Sequence, residues 1–308
     1  MRPTRQATAV LLLAAFAAVG CLKRGDTPGT KTAETKDAAQ VKNITPPAEP
    51  QPSAPPTDEE GFTKTTPEIT GPVTFADGEK AYHAKKYGEA TTIFDRYTTQ
   101  KPDNAWGHFM LGLSASKSGD PAKAEKAFET ALTIDPDHLK SLTNLSRVLI
   151  DQKRYDGALD KLMHAGDIEP NSNEVYRLMG RAFHGQGKTD DAVNAYRRAI
   201  ELDDKDAWSM NNLGLLFIET KRADEALPLL AKAVELKKDV AAFHNNLGMA
   251  LEHTGRFGAA ATAYAGALTA DPAYDKAKQN LTRVEAVKKE FEEPFELEKE
   301  SDDAAGSR

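Results

Sequence analysis

The 308-residue chain has one cysteine, Cys21, so no disulfide forms within it and cysteine ligand sets for a metal are excluded. Its seven histidines, His83, His108, His138, His164, His184, His244 and His253, include no pair at the helical spacing of a metal site with a glutamate between. There is no Gly-x-Ser-x-Gly elbow. Gly187-Lys188-Thr189 ends like a phosphate-binding loop, but the glycine required five residues earlier is Ala182. Positive charge is also scarce. Without residues 1–20, which carry only Arg2 and Arg5, 38 basic side chains face 47 acidic ones, a formal net charge of -9. Nucleic acid is therefore disfavoured as a partner, and so is lying flat on acidic lipid. The one continuous apolar run, from about Ala9 to Val19, is too short to span a bilayer. These absences call for no cofactor, no metal and no small-molecule substrate, and the chain is expected not to be an enzyme.

What is present is a repeat. Asn211-Asn212-Leu213-Gly214 returns 34 residues later as Asn245-Asn246-Leu247-Gly248, and the same step places Gly78, Gly112, Ser146 and Gly180 in one small-residue register. Twelve residues beyond each stands an alanine: Ala90, Ala124, Ala158, Ala192, Ala226 and Ala260. Phe94, Phe128, Leu162, Tyr196, Leu230 and Tyr264 follow at i+4, and Tyr97, Ala131, Ala165, Ala199, Ala233 and Ala267 at i+7, which is one face of a helix. The spacing predicts two antiparallel helices per unit, with small residues where backbones approach and a large apolar residue filling the remaining space. Gly119, Gly187 and Gly255 mark the turn within three units, and Lys85, Lys153 and Lys221 begin it in the others. Pro102, Pro136, Pro170 and Pro272 close four units, with Asp204 and Lys238 as departures.

Together these registers resemble the tetratricopeptide repeat, a helix pair of period 34. The resemblance implies an all-α, right-handed solenoid of six tetratricopeptide helix pairs over residues 71–274, and a C-terminal capping helix over 275–291, where Ala277, Leu281, Val284 and Val287 share a face. The first unit is the least regular: Asp77 and Ala81 stand where later units have Leu111 and Ala115, or Leu213 and Phe217. Pro228 falls early in the second helix of the fifth unit, where its missing donor costs little. An acidic tail, 292–308, follows the cap and is expected to be solvated.

Residues 1–20 read as an export signal, basic at the start and apolar in the middle. Ala18-Val19-Gly20-Cys21 resembles the lipobox of bacterial lipoproteins, in which cleavage precedes the cysteine and lipid is attached to it. Alanine replaces the usual leucine three places before. The resemblance implies acylation of Cys21 and a stable anchor without a transmembrane helix. Leu22, where aspartate favours inner-membrane retention, leans toward the outer membrane, facing the periplasm. Residues 21–70, with Pro46, Pro47, Pro50, Pro52, Pro55 and Pro56 crowded together, read as a tether of about 40 Å.

The resemblance further implies that the first helix of each pair lines a concave groove. The register two before the small residue reads Ala76, Met110, Asn144, Leu178, Asn212 and Asn246, and continues as Asn280. Two readings stand: an amide ladder pairing with the backbone of an extended peptide, or hydrogen bonds between neighbouring helices. Arg147 and Arg181, with Lys140, Arg177 and Arg283 near, suggest either a basic band for acidic ligand groups or arginines paired with neighbouring acids. Trp106 and Trp208 are groove anchors or packing against the preceding repeat.

The expected function is a lipid-anchored scaffold that binds other envelope proteins in the groove, similar to pilotin, peptidoglycan-hydrolase adaptor, barrel-assembly accessory and gliding-motility lipoproteins. The tether departs from the compact pilotin pattern. A self-associating structural lipoprotein and a hydrolase adaptor are the alternatives. Fold alone does not choose among them.

Overall fold

The computed structural model describes residues 71–292. The signal, Cys21, the tether and the tail beyond Glu292 lie outside the described residues.

Among the described residues there are thirteen α-helices and no strand. They form six pairs: α1 Phe75–His83 with α2 Tyr87–Gln100, α3 Ala105–Lys117 with α4 Pro121–Ile134, and α5 Leu139–Asp151 with α6 Tyr155–Ile168. The remaining pairs are α7 Asn173–Gly185 with α8 Thr189–Leu202, α9 Ala207–Glu219 with α10 Ala223–Leu236, and α11 Ala241–His253 with α12 Phe257–Ala270, before α13 Asp275–Glu292. The described residues form a solenoid.

Each first helix is stopped in the same way. The turn residue enters the left-handed region at Lys85, Gly119, Lys153, Gly187, Lys221 and Gly255, with φ between 60° and 85°. The next N–H then reaches back to the helix, as from Asp120 to Ala115 O (2.9 Å) and from Arg154 to Leu149 O (2.8 Å). Three of the six units adopt this conformation with lysine rather than glycine, against the steric preference of an L-residue.

The irregular first unit has a local cause. Thr74 caps α1, its hydroxyl accepting from Asp77 N (3.2 Å) while the Asp77 carboxylate accepts from Thr74 N (2.9 Å). Those hydrogen bonds hold the Asp77 carboxyl below its usual range. Asp77 therefore replaces the leucine of later units because α1 starts there, about one turn late.

The core follows the registers. Ala90, Ala124, Ala158, Ala192, Ala226 and Ala260 are fully buried, as are Phe94, Phe128, Leu162, Leu230 and Tyr264. A Cβ on Gly78, Gly112, Gly180, Gly214 or Gly248 would lie 2.5–2.7 Å from the large residue sixteen positions on, so glycine is what lets the paired helices close. Ser146 alone carries a Cβ there, opposite Leu162. In α13, Ala277 and Val284 are buried, Val284 in one cluster with Tyr264 and Ala260, which covers the last pair. Consecutive first helices, α1 to α3 through α11 to α13, approach closely along their backbones, while consecutive second helices stand further apart, α2 and α4 meeting through the long side chain of Lys123 at Asp95 (3.4 Å). The first helices form the tight inner layer and the second helices the splayed outer one.

Candidate functional site

Of the predicted site residues, Cys21 lies outside the described residues, and Asn144, Arg147, Arg177, Arg181, Asn212, Asn246 and Asn280 all stand on the inner layer. The asparagine register points at the seam between first helices. Met110 and Leu178 in that register are buried, and Asn246 is fully buried. Asn246 Nδ2 donates to Asn211 Oδ1 of the preceding repeat (2.9 Å), and Asn280 Nδ2 donates to Asn245 Oδ1 (2.9 Å). The expectation that Asn246 offers its amide to a groove ligand is therefore corrected: the amide has no exposed surface and is committed between helices. Asn211 Nδ2 donates to Asn212 Oδ1 (3.3 Å), and Arg283 donates to Asn280 Oδ1 (2.9 Å), so one polar chain runs from α9 through α11 into α13. This gives the doubled asparagine a reason. The first residue of each pair accepts from the second of the next repeat, at a separation of 35 rather than 34. Asn144, half-buried, donates to Lys140 O in its own helix (2.8 Å).

The basic band is neutralised. Arg147 pairs with Glu174 of the following repeat, Arg181 with Asp151 of the preceding one (3.1 Å), and Arg283 with Glu252 (2.9 Å). Arg177 donates to both oxygens of Asp206 (3.1 and 3.2 Å), whose side chain is 1% exposed. Asp206 also caps α9, accepting from Ser209 N (3.2 Å) and Oγ (2.7 Å), and receives Asn173 Nδ2 (3.3 Å). Of the two readings, the geometry matches arginines paired with neighbouring acids, and those acids come from the solenoid itself. Sequence reasoning held this pairing open but did not name the acids, because the partners lie 27 to 31 residues apart, one repeat less a turn, a separation no helical period marks. It missed His184 as well, which meets Glu219 at 2.7 Å.

The tryptophans pack forward rather than backward. Trp208 lies edge-on to Phe243 of the next repeat, ring centres 4.9 Å apart. Trp106 meets His138 (4.8 Å) of the next repeat and Phe109 (5.4 Å) of its own, yet stays 49% exposed. His138 caps α5, its Nδ1 accepting from Ser141 N (3.2 Å). Its buried Nε2 has no partner among the described residues. Burial pushes the imidazole below its ordinary value.

Two open cavities flank these features. One of about 410 Å³ lies between the first and second repeats, lined by Phe75, Glu79, Tyr97, Asn104, Trp106 and Met110. The other, about 470 Å³, opens between α8 and α10, with Leu213, Phe217, Ile200 and Leu229 among its walls. Among the described residues no group of three or more His, Cys, Asp or Glu is placed to hold a metal, and no helix is long and apolar enough to cross a membrane. Gly187, of the phosphate-loop fragment, sits in the turn between α7 and α8.

Models of the tetratricopeptide repeat match residues 115–182, 207–244 and 227–275, and a TPR repeat model matches 180–221. Residues 115–275 are tetratricopeptide repeats. Human tetratricopeptide repeat protein 7B is 30% identical over 95 residues, 31% of this chain and 11% of that protein. The photosystem I assembly protein Ycf3 of Prochlorococcus marinus (strain MIT 9303) is 27% identical over 115 residues, 36% of this chain and 66% of that one. The chain thus spans less than two thirds of either relative. The structure of the APC/C hetero-tetramer Cut9–Hcn1 superposes with a TM-score of 0.61 at 20% identity, covering 68% of this chain and 41% of that one, a likeness of fold. The tetratricopeptide models leave out α1, α2 and most of α3, which the same turn and core registers nevertheless build.

Proposed function

We propose that the protein is an exported lipoprotein, held at the bacterial envelope by acylated Cys21, whose tetratricopeptide inner layer binds polypeptide and supports assembly of an envelope machine for pilus formation, secretion or motility. The observation that carries the binding role is the inner layer itself. Its polar side chains are fixed by hydrogen bonds and ion pairs between successive repeats, so a bound segment meets a surface already ordered and loses less entropy on docking. Tetratricopeptide repeats serve as protein-interaction scaffolds, and one relative is named as an assembly protein. The lipobox-like Ala18-Val19-Gly20-Cys21 supports the anchor.

Two measurements on the full chain in cells test this. Metabolic labelling with alkynyl palmitate is expected to mark the wild type and not Cys21→Ala; equal labelling of both refutes the anchor. A photo-crosslinking residue at Asn212, on the inner layer, is expected to yield envelope-protein adducts that the same residue at Lys232, on the outer layer, does not. Identical products from the two positions, or only the protein joined to itself, refute groove binding, and the latter result establishes self-association.

A further inference from the structure

The junction between the first and second repeats breaks the pairing rule of the inner layer. At the junction of the third and fourth repeats, Arg147 stands one residue after the small position and pairs with Glu174, six before the next one. The same two registers in the first junction hold Glu79 and Trp106. Glu79 is the one acid in its register, where Leu113, Arg147, Arg181, Leu215, Met249 and Arg283 occupy the other places. No hydrogen bond or ion pair to its carboxylate is made among the described residues, and it is half-buried in the 410 Å³ cavity.

The walls of that cavity are aromatic for a second reason of sequence. Tyr97 stands where every later unit has alanine, and its ring lies where a Cβ on Gly107 would come within 2.9 Å. Gly107 in turn replaces Ser141, Val175, Ser209 and Phe243 of the later units. A large residue has been exchanged for a small one across this seam and nowhere else in these registers. Phe75 packs edge-on to Tyr97, ring centres 5.5 Å apart, and Trp106 closes the opposite side.

A carboxylate without a partner among Phe75, Tyr97 and Trp106 has the chemistry of a cation receptor: the charge is met by Glu79 and the desolvated face by the rings. The indole already holds one cation, since Lys140 Nζ lies 5.1 Å from its centre, but from the following repeat, whereas the cavity lies toward the preceding one. We propose that this cavity receives an arginine or lysine side chain of the polypeptide bound along the inner layer. The proposal rests on the binding role above and adds its first specificity position: a basic residue at the end of the segment nearest α1.

The test uses the full chain carrying Trp208→Phe, which leaves Trp106 as the single indole. Two peptides, Ac-Gly-Ser-Ala-Arg-Ala-Ser-Gly-amide and its citrulline counterpart, are titrated against Trp106 emission. The citrulline side chain keeps the shape and loses the charge. The arginine peptide is expected to saturate the change at a concentration about tenfold lower. Glu79→Gln is expected to abolish the preference without moving the melting temperature, because Glu79 holds no partner among the described residues. Equal titration of the two peptides, no response to the arginine peptide, or a preference that survives Glu79→Gln overturns the proposal. If it is overturned while crosslinking from Asn212 still yields envelope partners, the groove role stands and only the cation site falls; loss of both removes the groove role as well.

Discussion

Gly112→Ala tests the claim that the small register exists for close approach and not for backbone conformation. Gly112 lies within α3, where alanine by propensity alone would stabilise the helix by about 1 kcal/mol. The added Cβ would lie 2.7 Å from Phe128 Cδ1 and Cε1 and 3.0 Å from Cγ, all in a fully buried ring that cannot swing aside. Overpacking of this kind costs about 1–3 kcal/mol, so net of propensity the variant is expected to be destabilised by up to about 2 kcal/mol. Phe128→Leu supplies the third corner of a cycle, because it removes the ring atoms that the new Cβ would meet and gives the pair the leucine that Ser146 has opposite it at Leu162. In that background Gly112→Ala is expected to cost at least about 1 kcal/mol less, a coupling well above the ~0.5 kcal/mol scatter of independent sites. Gly166→Ala is the control, since its Cβ would meet only ordinary contacts at 3.8 and 3.9 Å, and it is expected to stabilise slightly. The assay is thermal and urea unfolding followed by helical circular dichroism, where 1 kcal/mol in a domain of this size moves the midpoint by about 2–4 °C. If Gly112→Ala matches Gly166→Ala, or the two substitutions at 112 and 128 are additive, the close-packing account is wrong.

Lys153→Gly relieves a left-handed lysine at φ 61°, and after glycine's greater freedom in the unfolded chain is subtracted, stabilisation of about 0.5–1 kcal/mol is expected by urea midpoint. Asn246→Ala leaves Asn211 Oδ1 buried without its donor, so a loss of about 1–3 kcal/mol is expected, while the polar chain predicts that Asn280→Ala, at a half-buried position, costs less. His138 resists protonation in the fold. Below about pH 6.5 the unfolded chain takes up a proton that the folded chain refuses, so stability falls as pH drops through that range. His138→Asn, a cap of the kind Asn104 provides, is expected to flatten the decline in melting temperature between pH 7 and pH 5; an unchanged slope refutes the assignment. Arg177→Ala strands the buried Asp206 carboxylate and is expected to cost about 3 kcal/mol or more, against no more than about 1 kcal/mol for Arg147→Ala, by the same unfolding assay.

The helix pairs were legible because 34-residue registers encode contacts within a pair. Gly112 and Phe128, or Gly248 and Tyr264, are sixteen residues apart in a fixed geometry, so one unit predicts the next. The inner layer was harder to read. Its side chains meet across repeats at separations of 27 to 35 residues, and which partner each finds depends on the tilt between neighbouring first helices. The asparagine doublet carried the signal in plain view: a residue paired with its repeat equivalent plus one marks a bond between repeats. Asp77 shows the opposite case, where a break in register reports a helix start and not a change of surface.

These pairings decide which arginines remain available to a partner. Asp206, the partner of Arg177, is 1% exposed, and separating the two to admit a ligand would leave that buried charge unpaired, a cost which an acidic side chain arriving from solvent does not offset. Arg147 and Glu174 are each 39% exposed, and Asp151, the partner of Arg181, is 45% exposed. A pair as open to solvent as Arg147 and Glu174 is worth no more than about 1 kcal/mol, so an incoming carboxylate can exchange with Glu174 at little cost. The same arithmetic runs the other way at Glu79, where among the described residues no cation must be displaced. A segment carrying a basic residue near α1 and an acidic one two or three repeats further on therefore fits the charges of the inner layer, and its reversed sequence meets like charge at both ends.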